Sequence, residues 1–118
     1  MDDNSTRSTA RAFDRKLARI LRSAAKVFAR DGYGGASIRK VASDAEVSLA
    51  GLYHYVRSKE ELLYLIQLHT FTELLETLRE QLETIEDPEA RFRAAVRNHV
   101  RHFTTNMDEL RVCAVELQ

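Results

Sequence analysis

Among the side chains between positions 37 and 59, Ser37, Arg39, Tyr53, His54 and Lys59 can all donate hydrogen bonds. Hydroxyl, guanidinium, imidazole and ammonium groups suit recognition of a polar partner. Nothing beside them is arranged to break bonds, and no Gly-rich phosphate loop is present. His69, His99 and His102 could approach one another on neighbouring helices, with His99 and His102 three apart on one face. Three imidazoles can ligate zinc or nickel. No HxxxH or HExxH pair and no clustered carboxylate supports them, so pocket-lining or core histidines are the better reading and no metal is expected. Cys113 falls on an apolar helical face, where a lone cysteine is usually core rather than a nucleophile. No catalytic residue and no cofactor is expected.

The donors need elements to hold them. Ser37 is a good N-cap, because its hydroxyl can accept from backbone N–H groups left unpaired in a first turn. Ile38, Val41, Ala42 and Ala45 follow at helical spacing. Glu46, Val47 and Ser48 form a turn, with Val47 pinning it to the core. Ser48 caps a second helix, Leu49 to Tyr55, with Leu52 and Tyr55 inward. Ser58-Lys59-Glu60-Glu61 is a capping box that opens a third, longer helix. Two short helices across a tight turn make a helix-turn-helix, whose second helix lies in the DNA major groove while the first crosses the backbone. Upstream, Leu17, Ile20, Leu21, Ala24 and Phe28 recur at three and four, marking an amphipathic helix from Asp14 to Asp31 that ends at Gly32.

At Ser37-Ile38-Arg39, Val41-Ala42, Ala45-Glu46-Val47-Ser48, Leu52-Tyr53-His54-Tyr55 and Ser58-Lys59-Glu60-Glu61-Leu62 the chain resembles the DNA-binding domain of the TetR (tetracycline repressor) family. The resemblance covers roughly residues 14–68 in one ungapped run. It implies that Ser37, Arg39, Ser48, Leu49, Ala50, Gly51, Tyr53, His54 and Lys59 face DNA. Leu49, Ala50 and Gly51 would allow close approach, with apolar contact to a thymine methyl as their base readout. The helix starts at Ser37 and Ser58 would offer N–H groups to phosphate. Three positions depart from the family pattern. Glu46 replaces a usual turn glycine, so the turn either changes type or carries strain. Val56 replaces an aromatic. Leu49 stands where a polar or basic residue is common, which shifts base reading toward Tyr53 and Arg39. The resemblance further implies a homodimer on a palindromic operator, with recognition helices about 34–36 Å apart, and repression relieved by a small-molecule effector.

The whole-chain numbers fit. Of 118 residues, 44% are hydrophobic and 31% charged, with one proline and four glycines, which favours helices over disorder. The fold class read from this is all-α: a three-helix reader, a long linking helix, and the beginning of a helical regulatory domain. The net charge is +0, but residues 1–60 hold 12 Lys/Arg against 7 Asp/Glu and residues 61–118 hold 6 against 11. A basic half joined to an acidic half suits a DNA reader carrying a different module. Residues 1–13 read as a polar arm able to enter a minor groove. The start has no apolar core, no run approaches the ~20 residues of a membrane span, and the lone cysteine suits a reducing cytoplasm.

Past the reader, Lys59 to about Glu83 reads as one helix. Asp87-Pro88 starts another, with Phe92, Ala95, Val96, His99, Val100 and Phe103 inward, and a last helix presents Leu110, Cys113, Ala114 and Leu117. His99, Phe103, Met107, Leu110 and Cys113 are the candidate effector pocket. The chain ends in mid-helix, so a longer protein is expected, with residues 61–118 as a partial regulatory domain. A helical protein-interaction module without nucleic acid is the alternative reading. An enzyme is the third, and it lacks any catalytic constellation.

Overall fold

The computed structural model describes the backbone of residues 2–116 and the side chains of residues 15–114. Among the described residues six helices follow one another: α1 (Asp2–Gly35), α2 (Ile38–Asp44), α3 (Leu49–Tyr55), α4 (Lys59–Leu82), α5 (Pro88–Thr105) and α6 (Met107–Glu116). The chain divides inside α4, between Ile66 and Gln67, into two compact units.

In the first unit, α1 supplies Ile20, Leu21, Ala24, Ala25, Val27 and Phe28 to the core. Against them lie Val41 and Ala42 of α2, Leu52 of α3, Val56, and Leu62 and Ile66 of α4. Each large apolar side chain so buried contributes on the order of 1.5–3 kcal/mol. The backbone of residues 2–13, read from sequence as an arm, continues α1; its side chains lie outside the described residues. The α-helical run breaks at Gly32, with φ 74° and ψ 162°, a region essentially reserved for glycine. That is the stop expected there, followed by one further turn in which Ala36 N–H donates to Gly32 O at 3.0 Å.

The turn between α2 and α3 is a Schellman motif. Val47 N–H donates to Ala42 O at 3.0 Å and Glu46 N–H to Ser43 O at 3.2 Å, the two bonds that satisfy the last carbonyls of a helix. The motif needs a left-handed residue at its C′ position, usually glycine. Glu46 fills it with φ 58°. Of the two outcomes open at this position, the chain keeps the turn and accepts the strain.

In the second unit, Asp87 caps α5 by accepting from Ala90 N–H at 2.9 Å, with Pro88 in the first turn. The inward face of α5 differs from the one read in sequence. Ala94, Asn98, His102 and Phe103 are buried, whereas Phe92, Val96 and Val100 are exposed and His99 is too. The small Ala94 allows close packing, and Asn98 Nδ2 donates to Leu74 O at 3.4 Å. In α6 the buried pair is Val112 and Cys113, with Leu110 half-buried and Ala114 exposed; Leu117 lies outside the described residues.

Candidate nucleic-acid interface

Each short helix is started by a serine. Ser37 Oγ accepts from Lys40 N–H at 3.1 Å and Ser48 Oγ from Gly51 N–H at 2.9 Å. Gly51 is needed for the second cap: a Cβ there would sit 2.9 Å from Ser48 Oγ. Ser58 Oγ accepts from Glu61 N–H at 3.1 Å. The return arm of that capping box is displaced by one residue, since Glu61 Oε1 accepts from Arg57 N–H at 3.3 Å rather than from Ser58.

These caps leave α3 with two different sides. Leu52 is fully buried and Val56 nearly so. Ser48, Ala50, Tyr53 and His54 are exposed, and Leu49 and Gly51 half-exposed. Tyr53 presents 51% of its surface, which rules it out as a core aromatic. Tyr55, expected inward, is half-buried; its ring lies 5.8 Å from Lys16 Nζ and edge-on to His54 at 5.4 Å. On α2, Arg39 is exposed and forms no ion pair among the described residues, while Ser37 is half-buried. The outward side of α3 is therefore a short ridge of small and aromatic residues without Lys, Arg, Asp or Glu, with cationic groups on the elements around it.

Lys59 departs from this pattern. Its ammonium donates to Tyr33 O at 2.8 Å and to Ala36 O at 3.4 Å, and sits 4.3 Å from the centre of the Tyr33 ring. Lys40 behaves similarly, donating to Gly35 O at 2.8 Å beside Asp31. Two of the basic residues that sequence composition offers to DNA are thus bound to carbonyls of the turn after Gly32. Composition counts charges and gives no sign of where their N–H groups are spent.

Residues 20–64, spanning this helix-turn-helix, match the family described as bacterial regulatory proteins, tetR family. The match places this helix-turn-helix segment among tetR-family DNA-binding domains. The family is one of regulators, not of enzymes. Among characterised relatives, the chain is 28% identical over 96 residues to the HTH-type transcriptional repressor NicS of Pseudomonas putida, covering 81% of this chain and 45% of NicS. Among solved structures, it resembles the fatty acid degradation regulator FadR from Bacillus halodurans, with TM-score 0.77 and 26% identity over 83% of this chain and 52% of that one. It also resembles the TetR family transcriptional regulator PfmR from Thermus thermophilus, with TM-score 0.71 and 34% identity over 81% and 51%. The chain spans about half the length of these relatives.

The expected effector pocket is not gathered as a lining. Phe103 and Cys113 are buried, Leu110 is half-buried, and His99 and Met107 face outward. A cleft of about 640 Å³ in the second unit lies instead beside Leu75, Leu78, Leu82 and Arg91, and none of the five borders it. Arg91 there donates to Leu82 O and Ile85 O at 2.8 Å each, closing the end of α4. What the apolar pattern missed is a set of buried polar groups. Thr70 Oγ1 and His102 Nε2 are both enclosed without a partner at hydrogen-bond geometry. Burial pushes the Cys113 thiol up, and its contact with Thr70 pulls back more weakly. Spacing carried only one hint: Asn98 and His102 lie four apart, on the face opposite the apolar stripe. Among the described residues no three His, Cys, Asp or Glu side chains are grouped to hold a metal ion, and no helix is long and apolar enough to cross a membrane.

Proposed function

We propose that the chain is the DNA-reading part of a transcriptional regulator that binds a palindromic operator as a homodimer. The observation that carries this is α3: capped at Ser48, anchored by Leu52, and exposing Ala50, Tyr53 and His54 together. A helix so mounted can enter a major groove, where Leu49, Ala50 and Gly51 approach the bases and Tyr53 and His54 donate to phosphates or base edges. On α2, Ser37 contacts the flanking backbone and exposed Arg39 reaches base edges beside Tyr53. Lys59 serves the interface through the turn it binds. Repression is supported by the described role of NicS.

Residues 67–118 belong to the part that senses a small effector, and the enclosed polar groups of Thr70, His102 and Cys113 support a ligand-responsive core there. Effector binding shifts α4 and changes the separation of the two recognition helices, which lowers operator affinity. Such a regulator works in the bacterial cytoplasm, where its DNA lies.

Binding of the full chain to duplex DNA, followed by fluorescence anisotropy from 50 to 200 mM salt, tests the reading. Affinity should fall steeply and linearly on logarithmic axes, because phosphate neutralisation releases counterions. Absence of duplex binding at any salt would remove the regulator and favour a protein-interaction module.

A further inference from the structure

Tyr33 lies in the last turn of α1, past the break at Gly32 and outside the helix-turn-helix, and three of its groups are engaged by the first turn of α4. Its carbonyl accepts from Lys59 Nζ at 2.8 Å. Its ring lies under the same ammonium at 4.3 Å, within the range where a cation is attracted to an aromatic face. Its hydroxyl helps to hold the Glu60 carboxylate below the ordinary glutamate range. The ring is itself fixed, packing edge-on against buried Phe28 of α1 at 5.7 Å. The turn is also held from α2, where Lys40 Nζ donates to Gly35 O at 2.8 Å. Carbonyls of the last turn of α1 and of Ala36 just after it carry partial negative charge, and ammonium groups from two other helices converge on them.

The consequence is mechanical. α4 begins three residues after α3 ends, at Val56, Arg57 and Ser58. So short a connection lets any tilt of the first turn of α4 pass to the recognition helix. Contacts at Tyr33 and Ala36 fix that turn against the end of α1, 23 and 26 residues earlier in the chain.

We propose that Tyr33 is a positioning residue for DNA binding: with Lys59 and Glu60 it forms a clasp that sets the orientation of α3, and neither Tyr33 nor the Lys59 ammonium contacts DNA. This rests on the DNA-binding reading above. The clasp accounts for the basic residue at the start of α4 without a phosphate contact. It also gives a residue outside the helix-turn-helix that sequence comparison of charges would never select a direct effect on affinity.

The test is a double-mutant cycle on the full chain, using a 30-base-pair duplex selected by the wild type from a randomised pool. Tyr33→Leu, Lys59→Met and the double variant are titrated at four salt concentrations, with circular dichroism recorded under the same conditions. A clasp predicts that each single variant weakens binding about tenfold and that the double is no worse than about twofold beyond either, since coupled partners are not additive. The slope of log affinity against log salt stays at the wild-type value in all three. Tyr33→Phe keeps the ring and carbonyl and loses only the hydroxyl that helps to hold the Glu60 carboxylate, so it weakens binding less than Tyr33→Leu does. If Lys59 instead touches phosphate, Lys59→Met lowers the slope by about one, Tyr33→Leu leaves affinity unchanged, and the proposal is overturned. Additive losses overturn it as well. Failure of the wild type to select any duplex would sink the DNA-binding reading itself, a result distinct from both.

Discussion

Replacing Glu46 with glycine should stabilise the reader. Glu46 occupies the C′ position of the Schellman turn with φ 58°, where an L-residue carries about 1–2 kcal/mol of steric cost from its Cβ. Glycine removes that cost and adds about 0.5–1 kcal/mol of backbone entropy lost on folding. The net gain is about 0.5–1 kcal/mol. The glutamate side chain is exposed and forms no ion pair among the described residues, so its loss subtracts little. Both turn bonds, Val47 N–H to Ala42 O and Glu46 N–H to Ser43 O, are backbone bonds and survive the change. For a unit of this size 1 kcal/mol moves Tm by about 4–8 °C, so a rise of roughly 2–8 °C is expected by calorimetry. Glu46→Ala is the decisive control, because it removes the same charge and keeps the Cβ. Asparagine, which tolerates the left-handed region, should fall between them. If Glu46→Ala raises Tm as much as Glu46→Gly, the gain comes from charge, and the strain argument is wrong.

Three further outcomes follow from the packing. Ser48→Ala should cost about 1 kcal/mol, as N-cap losses do. Gly51→Ala should be near neutral alone, because its Cβ displaces the cap that helix propensity would otherwise offset; in the Ser48→Ala background it should gain about 1 kcal/mol, which a four-way comparison of Tm values checks. Phe92→Ser should change stability by less than about 0.5 kcal/mol, because Phe92 is 71% exposed, whereas Phe103→Ala should cost about 3–5 kcal/mol; urea titration ranks them, and the reverse ranking would restore the apolar stripe as the inner face. The Glu60 carboxylate is held below the ordinary glutamate range, first by its own backbone N–H and then by the Tyr33 hydroxyl. A depressed carboxylate contributes stability above its unfolded pKa and loses it as pH falls through the folded one. Glu60→Gln should therefore flatten the loss of Tm at acid pH and leave the neutral range parallel to wild type.

The reader was legible because local chemistry dictates it. Ser37, Ser48, Ser58 and Asp87 each cap the helix their sequence position announced, since a cap needs only a side-chain oxygen and an unpaired N–H three residues on. The Leu49–Tyr55 boundaries follow from those caps. The face of α5 was not legible. Phe92, Val96 and Val100 form the more apolar stripe, yet the burial of Ala94, Asn98 and His102 is decided by close approach and a hydrogen bond to Leu74 O, neither of which hydrophobic spacing encodes. His99 was read inward by that same stripe and is exposed. Lys59 is illegible for a different reason. A lysine opening a helix looks available from sequence, and its partners lie in a turn 23–26 residues upstream.

The same point limits how strongly the chain can depend on salt. Residues 1–60 carry 12 Lys/Arg. Lys26 pairs with Asp44 at 3.7 Å, Arg30 with Asp31 at 3.0 Å, and Lys40 and Lys59 are bound to carbonyls of the turn after Gly32. That leaves Arg15, Lys16, Arg19, Arg22, Arg39 and Arg57, together with Arg7 and Arg11, whose side chains lie outside the described residues. Eight cations are therefore the ceiling on phosphate neutralisation by residues 1–60, and a contribution of about −0.9 each caps their share of the slope of log affinity against log salt near −7 per chain. Only those on the DNA side count, so the observed value should be smaller. A slope near −11 per chain from these residues would require all 12 of their cations to meet phosphate. It would mean that Lys40 and Lys59 leave the turn when DNA binds, and that the turn after Gly32 is remade in the complex rather than carried into it.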